Sequence, residues 1–205
     1  IIILFSFNII AREIGETEIT TEDGIEVFQT EKYYLLKKNV KILSDNFNLN
    51  AKDVKIDFDK SLYDITELNA KGEVNFVSSK FGLNSKSESL KFEVKIEKLR
   101  VNGKNSELIT EDIKMYSDGF IEVNNLNGDF KLEGPNSKLI NESIFIKAEK
   151  IDGVFSNIGE QKEITFLNVI DKKISYVKNN NTEMYAKKIN FDNKTSIIEL
   201  IDNVI

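Results

Sequence analysis

From Asn39 to Phe76 apolar and polar positions alternate. Val40 and Ile42, Leu49 and Ala51, then Val54, Ile56 and Phe58, then Val74 and Phe76 are separated by Lys, Asp, Asn and Glu. Side chains along a strand point to opposite faces in turn, so this period of two predicts short antiparallel strands with one wet and one buried face. The longest clean run puts Leu90, Phe92, Val94 and Ile96 on one face and Lys91, Glu93, Lys95 and Glu97 on the other. Leu99 and Val101 then fall on odd positions, which calls for a turn or bulge near Lys98.

The alternating unit recurs. Phe47-Asn48-Leu49-Asn50-Ala51-Lys52 is echoed about 34 positions on by Phe81-Gly82-Leu83-Asn84-Ser85-Lys86, and Val40 and Ile42 by Val74 and Phe76. Near the end, Ala186-Lys187-Lys188-Ile189-Asn190-Phe191-Asp192 repeats Ala51 to Asp57, and Asp202-Asn203-Val204 repeats Gly72-Glu73-Val74. Repetition of one supersecondary unit in fixed order suggests a sheet built by stacking, in which no unit buries its apolar face alone.

Turn signals divide the remainder. Glu18 to Phe28 reads as strand, Asp-Gly turn, strand. Asn102-Gly103 is a strong hairpin dipeptide, followed by Asp118-Gly119, Asn127-Gly128 and Gly134-Pro135-Asn136 at intervals of roughly ten residues. No stretch sustains a 3.6-residue period with caps, and residues 160–172 read as a strand apolar on both faces. The fold class expected is all-β: a single folded-over antiparallel sheet, a β-jellyroll or β-taco, built from repeated short strands.

Composition narrows the chemistry. The 205 residues carry a formal charge of -6, and the basic residues form no cluster along the chain, which disfavours nucleic acid as a partner. Cys and His are both absent, so disulfides, thiol chemistry and the commonest metal ligand are excluded. Adjacent carboxylates such as Asp57 and Asp59, or Glu111 and Asp112, sit in wet turns where nothing raises a pKa for acid catalysis. No complete oxygen-ligand loop follows Asp57 and Asp59, so no metal, cofactor or catalytic residue is expected.

Residues 1–11 are apolar apart from Ser6 and Asn8. As a helix this run reaches about half of a roughly 30 Å hydrocarbon core, a length that suits the core of a signal peptide ending at Ala11; a buried first strand is the alternative. Residues 12–205 are expected to form one domain, since no Pro- or Ser-rich linker interrupts them.

The repeated phrase resembles the OstA-like (LptA) family of lipopolysaccharide-transport proteins. Lys38-Asn39-Val40, Leu49 to Val54 and Ile65 to Phe76 fall in order on that family's loose unit of Gly-Asn-Val, strand, Ala-Asp, strand, turn and strand. Lys38 stands where the family has Gly, and Glu73 where it has Asn. The likeness covers about residues 19–92 and again 184–205, and a membrane-anchored LptC-like relative matches the same unit. It implies a non-enzymatic periplasmic protein that carries lipopolysaccharide between inner and outer membrane along an apolar groove. It also implies partnership with further copies or with the membrane-anchored and outer-membrane relatives by edge-strand addition.

A single sheet with one apolar face must cover it, by folding over or with an apolar guest. The expected interior face, and so the candidate site for lipid A acyl chains, comprises Val40, Ile42, Leu49, Val54, Ile56, Phe58, Val74, Phe76, Leu83, Leu90, Phe92, Val94 and Ile96. Lys41, Lys55, Asp57, Asn75, Lys91, Glu93 and Lys95 then face outwards. The alternative is a structural or adhesive β-repeat protein whose interior is dry and packed.

Overall fold

The computed structural model describes residues 17–158 and 161–205. The signal-peptide segment expected at residues 1–11 lies outside the described residues. Among the described residues all strands belong to one 17-stranded antiparallel sheet. In chain order they are β1 (Glu18–Thr20), β2 (Ile25–Phe28), β3 (Tyr33–Leu43), β4 (Asn48–Phe58), β5 (Ile65–Ser78), β6 (Leu83–Glu93), β7 (Lys98–Asn102), β8 (Ser106–Thr110) and β9 (Lys114–Ser117). Then follow β10 (Phe120–Asn124), β11 (Asp129–Glu133), β12 (Lys138–Ile140), β13 (Ile144–Lys147), β14 (Lys150–Ile158), β15 (Gln161–Asn179), β16 (Thr182–Asp192) and β17 (Ile197–Ile201).

The sheet is folded into two leaves along one line of irregular backbone. Pairing shifts register between Lys37 and Val40 in β3, Asn50 and Asp53 in β4, Lys71 and Val74 in β5, and Ile170 and Ser175 in β15. In β3, in β5 and just after β17 the chain takes left-handed residues in pairs: Lys38 and Asn39 (φ 58° and 50°), Gly72 and Glu73 (79° and 49°), and Asp202 and Asn203 (59° and 53°). These are the positions of the repeated Gly-Asn-Val phrase, which therefore forms a bulge at the level of the bend in β3, in β5 and just after β17. Leaf one contains β2, Tyr33–Lys37 of β3, β7, β10, β11, β14 and β17; leaf two contains β1, Val40–Leu43 of β3, β8, β9, β12 and β13. The long strands β3, β4, β5, β6, β15 and β16 cross from one leaf to the other.

This geometry corrects several expected hairpins. Asn102-Gly103 joins β7 to β8, yet these two do not pair with each other; both pair with β6, β7 through Ser89–Glu93 and β8 through Leu83–Lys86. Asp118-Gly119 and Gly134-Pro135-Asn136 are likewise corners, stitched by Gly103 N to Gly119 O (2.9 Å) and Asp118 N to Pro135 O (2.9 Å). Glu18 to Phe28 is one bent rung, with β1 and β2 both pairing β3. Asn127-Gly128 does lie in the β10–β11 hairpin.

The expected strand through Ile96 also needs correction. β6 ends at Glu93, and Val94–Ile96 form a 3-10 turn closed by Glu97 in the left-handed region. Reversal thus comes earlier than Lys98, because Phe92 and Leu99 must face each other across the β6–β7 pair, both inward. Ile96 is left 44 % exposed outside the core, and Val94 only packs against its edge.

Candidate functional site: the apolar interior and its mouth

Inside the fold the cross-strand pairs line up as columns. At the bend, leaf two carries small side chains, in the pairs Val40–Ala51, Val74–Ser87, Ser106–Ser117 and Ser175–Ala186. Two leaves converging at a fold leave room for nothing larger. The buried serines also satisfy the bent backbone: Ser106 Oγ donates to Gly103 O and Ser137 Oγ to Gly134 O (both 2.8 Å), and Ser175 Oγ to Ala186 O (2.6 Å).

One step further out the same leaf reads Ile42, Leu49, Phe76, Ser85, Leu108, Met115, Leu139, Ile146, Val177 and Met184. Facing it, leaf one presents Leu36, Val54, Ala70, Leu90, Val101, Ile121, Leu132, Ile151, Val169 and Ile189. All but Ser85 belong to one buried apolar cluster that runs the length of the sheet.

Val40, Ile42, Leu49, Val54, Ile56, Phe58, Val74, Phe76, Leu83, Leu90 and Phe92 lie within this cluster, and Lys91 points out, hydrogen-bonding distance from Glu67 at 3.0 Å. These residues occupy the end of the sheet formed by β3 to β6, where the leaves are closed on each other. Phe47, Phe76, Phe81 and Phe92 form a chain of ring contacts at 5.5 to 5.8 Å there. A polar clasp lies over them. Lys80, in the β5–β6 turn on leaf two, reaches Glu97 on the leaf-one rim at 2.8 Å, and Asn125 Nδ2 donates to the same carboxylate at 2.8 Å. The Lys80 hydrogen bond, with that from Asn125, holds the Glu97 carboxyl below its ordinary pKa.

Beyond the clasp the leaves part. One cleft of about 350 Å³ opens between Leu108, Ile113 and Met115 of leaf two and Val123 and Phe155 of leaf one. A second, of about 320 Å³, lies between Val177 and Met184 on one side and Ile164, Leu167, Ile189 and Phe191 on the other. Both are in the size range of ligand sites, which are apolar with a few polar groups at the opening. The rim of the second is Asp112, Asn141, Glu142, Glu163, Asn179 and Asn193, and no Lys or Arg lines either cleft.

Of the residues expected from sequence, Leu83 alone borders one of these two clefts. The lining at the far end was missed, although its signal was present: Ile189 and Phe191 belong to the terminal echo of the motif, and Ile164 and Leu167 to the doubly apolar run. Among the described residues no group of three or more Asp and Glu is placed to hold a metal ion, and no helix is long and apolar enough to cross a membrane.

The sheet leaves two uncovered edges among the described residues. At one end Ile25 and Val27 of β2 are exposed; at the other, Ile197, Ile198 and Ile201 of β17 and, beyond its bulge, Val204 and Ile205. The final residues continue the ladder, with Ile205 N donating to Tyr185 O at 3.0 Å.

No family model and no curated protein matches the chain. Among solved structures it is similar to LptH from Pseudomonas aeruginosa, the LptA-homologous periplasmic component of the lipopolysaccharide transport device. That likeness has 13 % identity and a TM-score of 0.30, and covers 68 % of this chain and 76 % of that one.

Proposed function

We propose that the chain is a non-enzymatic lipid carrier of the OstA-like kind, working in the periplasm, whose interior takes the acyl chains of lipopolysaccharide. The observation that carries this reading is the continuous apolar interior that comes to the surface between the leaves, in clefts with Leu, Ile, Val and Met floors. The repeated bulge phrase supports it from the sequence side. Acyl burial gains roughly 25 cal/mol per Å² and has no counterion term, so cargo binding is expected to depend weakly on salt. The absence of Lys and Arg from both cleft linings points the same way. In this reading the uncovered edges of β2 and β17 accept a strand from another copy or from a related partner, keeping successive grooves in line.

A second reading is favoured by a different observation. Leu36, Leu49, Ile56, Leu68 and Phe76 are wholly buried where the leaves are closed, which is what a dry structural or adhesive β-repeat protein requires. The carrier reading needs that end to open, by release of Lys80 from Glu97. A photo-crosslinking residue separates the two. Placed at Leu167 or Phe92 in cells that make lipopolysaccharide, it should capture the lipid, and placed at Lys91 it should not. Capture at Lys91, or at none of the three, rejects the carrier reading.

A further inference from the structure

The lysines that are scattered along the chain are gathered by the sheet. On the outer surface of leaf two, one cross-strand row reads Tyr116, Lys138, Lys147, Tyr176 and Tyr185. The row beside it reads Lys114, Ile140, Phe145, Lys178 and Glu183. With strands about 4.8 Å apart, each row is about 19 Å long. The rings form a platform: Phe145 and Tyr176 are 5.8 Å apart, Tyr176 and Tyr185 stack at 4.9 Å, and Lys138 lies over Tyr116 at 5.6 Å. Lys178 is paired with Glu183 at 3.4 Å, while Lys114, Lys138 and Lys147 have no carboxylate within salt-bridge distance among the described residues. A protein of net charge -6 thus carries a locally cationic, aromatic face.

From this juxtaposition we propose that the outer face of leaf two binds an anionic saccharide, a short chain of sugar rings bearing carboxylate or phosphate groups. The C–H face of a sugar ring packs on an aromatic face, whose quadrupole is negative, and the lysines meet the anionic substituents. Glu183, which accepts the Tyr185 hydroxyl at 3.2 Å, supplies an acceptor for a ligand hydroxyl at the end of the row. That carboxylate accepts from hydroxyls, which a saccharide presents on every ring and a thymidine backbone does not, so it favours a saccharide over a nucleic acid. The site is on the opposite side of the sheet from the clefts, so the proposal does not depend on what the interior holds.

Three of the six tyrosines, Tyr116, Tyr176 and Tyr185, lie on this face and the chain has no Trp, so half of the tyrosines report on it by emission. The intact protein would be titrated with tetragalacturonate, with neutral maltotetraose, with a thymidine tetranucleotide and with sodium sulfate, and mapped by amide chemical shifts. The proposal predicts that tetragalacturonate binds at least tenfold more tightly than the other three, with shifts centred on Tyr116, Phe145, Tyr176 and Tyr185. Lys138→Gln with Lys147→Gln, changes at a half-buried and an exposed position that spare the apolar core, should weaken it at least tenfold, and so should Tyr176→Ala with an unchanged circular dichroism spectrum. Equal binding of the tetranucleotide or of maltotetraose, shifts elsewhere, or an unaffected lysine variant would overturn it.

Discussion

Ser85 stands in an interior column whose neighbours are Phe76 and Leu108, and its buried hydroxyl has no hydrogen-bond partner. A buried unpaired hydroxyl costs about 1–3 kcal/mol, so Ser85→Ala should leave stability unchanged or raise it by about 1 kcal/mol in urea titration; a clear loss would show that the hydroxyl is satisfied. Tyr34 has the opposite character. Burial, assisted by Tyr63, pushes its hydroxyl from 10.0 up to about 12. The folded state therefore holds a proton that the unfolded chain loses above pH 10. Its contribution is fully present below that pH and is lost as pH rises towards 12. Tyr34→Phe should remove up to about 2–3 kcal/mol of that alkaline loss, at about 1.4 kcal/mol per pH unit. Tyr176 and Tyr185, also raised by burial first, leave part of it in place. A denaturation profile of the variant that falls as steeply as wild type between pH 10 and 12 would contradict this. Residue identity was legible where alternation alone decides it, as for Phe92 inside and Lys91 outside. Ile96 was not, because alternation cannot tell where a strand ends in a turn.

At the scale of elements, the bend is made by left-handed pairs and by glycines, of which Gly134 is left-handed and Gly119 is needed for close approach. A Cβ on Gly119 would lie 2.1 Å from Glu133 O, and one on Gly134 would lie 2.6 Å from Gly119 Cα. Neighbouring backbones touch at these corners, so Gly119→Ala should cost about 1–3 kcal/mol in urea titration, the range of overpacking. A neutral result would mean that the leaves are not held this close. These same glycines misled the reading of the sequence. Left-handed residues serve hairpins and bulged corners alike, and the choice depends on which distant strand pairs with the segment. That β7 and β8 both pair with β6 is a non-local fact that Asn102-Gly103 does not encode. The edge element β17 carries its own expectation. Ile198 and Leu200 pair with Phe191 and Ile189 and share their inward face, whereas Ile197 and Ile201 face outwards beside an unpaired ladder. Ile197→Lys with Ile201→Lys should suppress concentration-dependent association in sedimentation velocity while the β circular dichroism persists; unchanged association would remove the edge-strand account.

For the whole molecule, folding one sheet over itself creates a core with two different ends. Between β3 and β6 the leaves are sealed by Phe47, Phe76, Phe81 and Phe92 under the Lys80–Glu97 clasp; towards β15 to β17 they part around an apolar cleft. The folded-over architecture was legible from the recurring alternating unit and from an apolar face with no helix to cover it; that its Gly-Asn-Val phrase is a bulge was not. The position of the openings was not, since both ends share the same alternation and differ only in side-chain size and in contacts across the mouth. The central claim is that this interior holds lipid. Native mass spectrometry of the protein purified from cells that make lipopolysaccharide tests it most directly. The account predicts a retained adduct of lipid size, which is lost when Leu167 and Val177 are both replaced by Asp at the cleft, provided the variant stays folded. A bare polypeptide mass from the lipid-containing cells would contradict it and leave the packed, dry β-repeat.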